Sequence, residues 1–154
     1  MKNVKKSMFP GTTFLVLLTF LSGFAMGQSE RKLVKEGNQL YKEKKYDEAE
    51  IAYRKSLEKN KESLAGKYDL ANTYYKQKKY EDAQLQYQKL LADSNLKDPE
   101  KSKVYHNLGN SYLESKKYEE SIEAYKQALR LNPNDADSRY NLAYAQSMLR
   151  QQQQ

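Results

Sequence analysis

Apolar residues recur along this chain at intervals of three and four, interrupted by short polar runs. The clearest stretch reads Leu108, Tyr112, then Ile122, Tyr125, Ala128 and Leu129, with Glu114, Ser115, Lys116 and Lys117 between the two runs. Such spacing gives a helix one apolar stripe, so each pair of runs predicts two helices joined by a tight turn. Upstream, Leu33, Gly37, Leu40 and Tyr41 mark the inward face of one helix, and Tyr46, Ala49, Ile51, Tyr53 and Leu57 that of the next. Leu70, Ala71 and Tyr74 are followed in the same way by Tyr80, Ala83, Tyr87, Leu90 and Leu91.

These segments are copies of one another. Gly37, Asn38, Tyr46, Ala49 and Tyr53 are answered 34 residues later by Ala71, Asn72, Tyr80, Ala83 and Tyr87, and after a further 38 by Gly109, Asn110, Tyr118, Ser121 and Tyr125. Tyr140, Asn141, Leu142 and Ala143 return to the 34 spacing as half of a fourth copy. Self-similarity at a fixed period means a stack of like units, each burying its apolar face on the next. Within each unit, small residues alternate with tyrosines. Helices approach closely only where a side chain is small, and a tyrosine opposite fills the space beside it.

Gly109, Tyr112, Ser121, Tyr125, Ala128 and Pro133 together resemble the tetratricopeptide repeat, and the resemblance covers Glu30 to Arg150. It implies an all-α fold: a right-handed α-solenoid of three helical hairpins at about 30–63, 64–97 and 102–135, with a capping helix over 136–150. The tetratricopeptide domain is accordingly expected over 28–150. The fourth repeat position, bulky in the family, holds Leu33, Lys67, Tyr105 and Arg139, and the closing proline is missing from the first two repeats. These departures bear on helix ends rather than on the architecture.

Local signals refine the boundaries. Four extra residues lie around Ser94 to Pro99, where Asp98 is expected to cap an extended helix beginning at Pro99. Gly66 is expected to loosen the first turn of its helix. Asn134 or Asp135 should cap the closing helix, with Leu142, Ala143 and Leu149 on its packing side and Asp137, Arg139, Gln146 and Arg150 on its wet side. Gln151 to Gln154 read as a short disordered tail.

Residues 1–27 stand apart from the repeats. Lys2, Lys5 and Lys6 precede an apolar run from Phe14 to Leu21, and Ala25, Met26 and Gly27 lead to Gln28. That order is the pattern of an export signal removed before Gln28. The alternative is an uncleaved membrane anchor, although a spanning helix wants about 20 apolar residues. Either reading places the repeats outside the cytoplasm, in the periplasm or secreted, or anchored to the inner membrane and facing the periplasm.

Composition mainly removes options. The formal charge of +7 comes from 27 basic against 20 acidic residues; without Lys2, Lys5 and Lys6, 24 against 20 leaves +4. So mild a balance does not point to nucleic acid. The absence of cysteine excludes disulfides and thiolate metal sites. The one histidine, His106, has neither a cysteine nor a second histidine to work with. Acid pairs at Asp47 and Glu48, Glu81 and Asp82, and Glu119 and Glu120 recur where second helices begin, so the helix dipole accounts for them without acid and base catalysis. The chain reads as a non-enzyme, with no metal and no cofactor.

In the tetratricopeptide family the first helix of each pair lines a concave groove where partners bind. The resemblance places there Asn38, Tyr41, Lys42, Tyr68, Asn72, Tyr75, Lys76, Lys103, His106, Asn107, Asn110 and Tyr140, with Asp69 among them. Asn38, Asn72 and Asn110 form a ladder whose amides can pair with an extended peptide backbone, while the lysines and tyrosines favour an acidic segment or a terminal carboxylate. The lysine, asparagine and arginine clamp by which some members hold chaperone C-termini is interrupted here by Val34, Asp69 and Asn107. Lys44 and Lys45, Lys78 and Lys79, and Lys116 and Lys117 recur in the hairpin turns, either as a ridge toward anionic lipid or an acidic partner or as ordinary solvated turns. The export signal, three repeats, closing helix and glutamine tail also resemble a short tetratricopeptide component of the bacterial aerotolerance (Bat) operon. The expected function is an exported protein-interaction scaffold; the alternative is a membrane-tethered structural element with its lysine ridge on lipid.

Overall fold

The computed structural model describes residues 29–154, and these form seven helices; the export-signal reading of 1–27 lies outside them. Helix α1 runs over residues 29–42, α2 over Tyr46–Lys59, α3 over Leu64–Lys76, α4 over Tyr80–Leu91, α5 over Asp98–Glu114, α6 over Tyr118–Leu131 and α7 over Ala136–Gln152. Each helix packs on the next, and α5 also touches both α3 and α7, so the first helices of successive pairs stand side by side along one face. The all-α solenoid of three hairpins and a closing helix is the architecture observed.

Each hairpin is closed by one aromatic contact. Tyr53, Tyr87 and Tyr125 are 1%, 1% and 0% exposed. The rings of Tyr53 and Tyr125 lie over Gly37 and Gly109, and Ala71, at the equivalent place, shares a buried cluster with Tyr87. A methyl built on Gly109 would stand 2.7 Å from Tyr125 Cε1, and one on Gly37 2.6 Å from Tyr53 Cε1. At these two helical positions the ring lies where a methyl would stand, so glycine permits the close approach despite its poor helix propensity. Gly66 is also buried. It does not loosen α3, because its amide donates to Ser63 Oγ at 3.2 Å and a methyl there would meet Leu57 at 3.1 Å.

The turns within hairpins are built identically. Lys44, Lys78 and Lys116 take positive φ of 61°, 61° and 59°. The following lysine amide donates five residues back, Lys45 to Leu40 O, Lys79 to Tyr74 O and Lys117 to Tyr112 O, each at 2.9 Å. This is a left-handed helix cap that stops one helix and aims the chain into the next. The first turns of α2, α4 and α6 carry the acid pairs.

Several expected details differ. Helix α5 is the longer first helix, but its cap is Lys97: the Lys97 amide donates to Glu100 Oε2 at 3.1 Å, leaving Asp98 inside the first turn. The inserted segment contributes Leu96 to the core, 5% exposed. Ile51, expected inward, is 54% exposed, while Ala52 takes its place in the interior. Asp135 caps α7 by accepting from Ser138 N at 3.0 Å. That helix buries Ala145 and leans Leu142 and Leu149 on Ile122 and Tyr125, whereas Ala143 is exposed because no tyrosine-bearing second helix covers it. It continues to Gln152, two residues into the glutamine run, since glutamine is a good helix former and no glycine or proline intervenes.

Two substitutions test this account. Gly109→Ala is expected to lower stability by about 1–2 kcal/mol, because overpacking against the held Tyr125 ring outweighs the better helix propensity of alanine. Lys78→Gly is expected to raise it by roughly 0.5–1 kcal/mol by relieving the left-handed backbone. Urea denaturation midpoints measure both, and a stabilised G109A would contradict the ring contact.

Candidate functional site: the concave groove

The side-by-side first helices leave a groove with two adjoining hollows. One, of about 280 Å³, is lined by Tyr41, Asn72, Tyr75, Lys76, Tyr87, Asn107 and Asn110. The next, of about 390 Å³, shares Tyr75 and Asn110 and continues over Leu113, Glu114, Tyr140, Asn141 and Tyr144. Tyrosines and amides thus alternate along the floor. Tyr140 and Tyr144, 73% and 48% exposed, present large apolar area at the α7 end.

The asparagine ladder is present, but its carbonyls are engaged. Asn38, Asn72 and Asn110 Oδ1 accept from the hydroxyls of Tyr53, Tyr87 and Tyr125 at 2.6, 2.7 and 2.6 Å. The same tyrosines that close the hairpins therefore orient the groove amides. Between repeats, Asn107 Nδ2 donates to Asn72 Oδ1 at 2.9 Å and to Tyr68 Oη at 2.9 Å, and Asn141 Nδ2 donates to Asn110 Oδ1 at 3.0 Å. What the ladder offers a visitor is the amide side of each asparagine, not both ends.

Other groove residues sort by position. Tyr41 packs edge-on to Tyr46 with centroids 5.4 Å apart, and burial pushes its hydroxyl up to about 12, so it remains a donor at physiological pH. Lys76 Nζ lies 5.8 Å from the Tyr75 ring centroid, held over the groove by that face. Lys42 is exposed at the end of α1 and lines neither hollow. Lys103 borders a different cleft, of about 240 Å³, with Leu64, Tyr68 and Leu96. His106 does not line either hollow. Its Nδ1 sits 2.7 Å from Ser138 Oγ, which also donates to Asp135 Oδ2 at 2.7 Å, so the imidazole braces the start of α7. Ser138 is fully buried, so its hydroxyl is not open to solvent, whereas His106 and Asp135 are partly exposed. Among the described residues no group of side chains is placed to hold a metal, and no helix is long and apolar enough to cross a membrane.

Comparison with known families follows the same periodicity. A family profile described as tetratricopeptide repeat matches residues 40–105, and one described as TPR repeat matches 109–149. The chain is a tetratricopeptide repeat protein. No curated protein matches it at a significant level. Among solved structures, the first TPR domain of human RPAP3 superposes with a TM-score of 0.73 at 24% identity, covering 81% of this chain and 95% of that one. The first TPR of Spaghetti (RPAP3), solved bound to the HSP90 peptide SRMEEVD, gives 0.72 at 25% identity over 79% and 94%. The TPR2AB domain of yeast Sti1 in complex with pHSP90 gives 0.73 at 25% identity over 82% and 50%.

Asp69, which the tetratricopeptide resemblance puts in the groove, lines neither hollow. Its carboxyl is half-buried, engages no cation or hydrogen-bond donor among the described residues, and is pushed up to about 6 by burial. A carboxyl whose folded value lies above its unfolded value binds protons more readily when folded, so charging it costs stability as pH rises through 4 to 6. Asp69→Asn is therefore expected to stabilise the protein at pH 7 by about 1 kcal/mol, allowing for the solvent that reaches the group. The advantage should vanish by pH 4. Urea midpoints at the two pH values measure it, and a gain equal at both would remove the charge from the explanation.

Proposed function

We propose that this tetratricopeptide protein is an exported, non-catalytic scaffold that holds an extended segment of a partner protein in its concave groove. The observation that carries the reading is the continuous floor from Tyr41 through Tyr75 and Asn110 to Tyr144, where preset amide donors alternate with aromatic surface. Such a floor suits an extended backbone and side chains of varied shape. Lys76 supplies positive charge inside the hollow, favouring an acidic segment or a free C-terminus. The peptide-bound Spaghetti and Sti1 domains support the mode of binding, at the level of fold and groove.

The interrupted clamp argues against borrowing their ligand. Val34, Asp69 and Asn107 stand at clamp positions, and Asn107 is committed to Tyr68 and Asn72. Export rests on the order of charge, apolar run and small residues in 1–27. A place in an envelope aerotolerance or stress assembly accords with that location.

Two measurements test the proposal. Titration of the full chain with a decapeptide library, each peptide carrying either a free or an amidated C-terminus, should yield binders that prefer the free acid. Lys76→Glu should weaken them by about tenfold, with little change in stability because the residue is exposed. Unaltered binding by K76E would remove the groove from the account. Determination of the amino-terminal residue in envelope fractions should give Gln28; an intact Met1 in membranes would favour the tethered element.

A further inference from the structure

One contact recurs at the seams between repeats and fails at the first. Asn107 donates to Asn72 Oδ1 at the second seam and Asn141 to Asn110 Oδ1 at the third. Asp69 follows Asn38 by 31 residues, as Asn141 follows Asn110, so it occupies the corresponding place at the first seam. A carboxylate has no hydrogen to donate. Asn38 Oδ1 already accepts from Tyr53, and the residue equivalent to Tyr68 in the first repeat is Val34, which offers nothing polar. By the repeat register the first seam thus sets an acceptor, Asp69, where the other two seams set the donor to the asparagine.

The surroundings do not compensate for it. No ion pair or side-chain hydrogen bond reaches the Asp69 carboxyl from the described residues, and it is half-buried. Tyr41, Tyr53 and Tyr68 lie close enough to feel its charge, which pushes their hydroxyls up alongside the larger effect of burial. Of these, Tyr41 is partly open and lines the first hollow of the groove.

We propose that Asp69, Asn38 and the ring of Tyr41 form a subsite for a positively charged side chain, the ammonium of a lysine or the guanidinium of an arginine, carried by the peptide bound in the groove. The proposal rests on the groove reading above and names the chemistry of its first seam. A cation on the peptide supplies donors to the Asp69 carboxylate and to the second lone pair of Asn38 Oδ1, and gains the Tyr41 face as well. A divalent metal is a poorer occupant, since one carboxylate and one amide oxygen fall far short of the six to eight oxygens that calcium takes. The partner is then a segment with a basic residue over the first seam and negative charge toward Lys76.

The test uses the full chain and fluorescein-labelled decapeptides from the library that carry a single lysine. Each binder is compared with its norleucine counterpart, which keeps the methylene stem and loses the charge. Norleucine should weaken binding to the unaltered protein by at least about tenfold and leave binding to Asp69→Asn unchanged. Because D69N is expected to be the more stable protein, a loss of binding cannot be laid to unfolding. An equal norleucine penalty in both proteins overturns the subsite while leaving the groove intact. Failure of every library peptide to bind either protein overturns the groove reading and the subsite with it.

Discussion

Everything in this array depends on a tyrosine ring pressed against a residue too small to push it away. In the first and third hairpins the ring of Tyr53 or Tyr125 fills the space that Gly37 or Gly109 leaves, and in all three the hydroxyl of Tyr53, Tyr87 or Tyr125 reaches through to an asparagine on the adjoining first helix. The apolar body of the ring makes the core, and its polar end reaches the groove. Packing and recognition surface are two ends of the same side chain. Shifting the ring disturbs both.

The repeats were legible because this constraint forces the same residue types back at the same spacing. Gly37, Ala71 and Gly109 occupy equivalent places, as the 34-residue interval and its four-residue insertion require. Ile51 misled because helical spacing alone does not say which of two neighbouring positions faces inward; Ala52 does. The Lys97 cap was obscured by Asp98, a better capping residue, since Glu100 folding back on the Lys97 amide decides the helix start. Leu96 lies in a segment without periodicity, so no pattern marked it as core.

The groove was legible in outline and not in its bonding. Tyr41, Asn72, Tyr75, Lys76, Asn107 and Asn110 come together along the floor, whereas Lys103 and His106 serve other surfaces. His106 was drawn away by Ser138, 32 residues later in the closing helix. The engaged asparagine carbonyls had a signal in the chain: Asn38 and Tyr53, Asn72 and Tyr87, and Asn110 and Tyr125 are each 15 residues apart. A spacing repeated three times between a hydrogen-bonding pair marks a contact, in the way a repeated apolar spacing marks a face.

The amides between repeats also share a sense. Asn107 gives its hydrogen to Asn72, and Asn141 to Asn110, so at both seams the donor belongs to the later repeat. The row is a vector rather than a symmetric rail, and a chain laid along it in the opposite direction meets a different sequence of poles. The fold thereby distinguishes head from tail in whatever it holds, before any side chain is read.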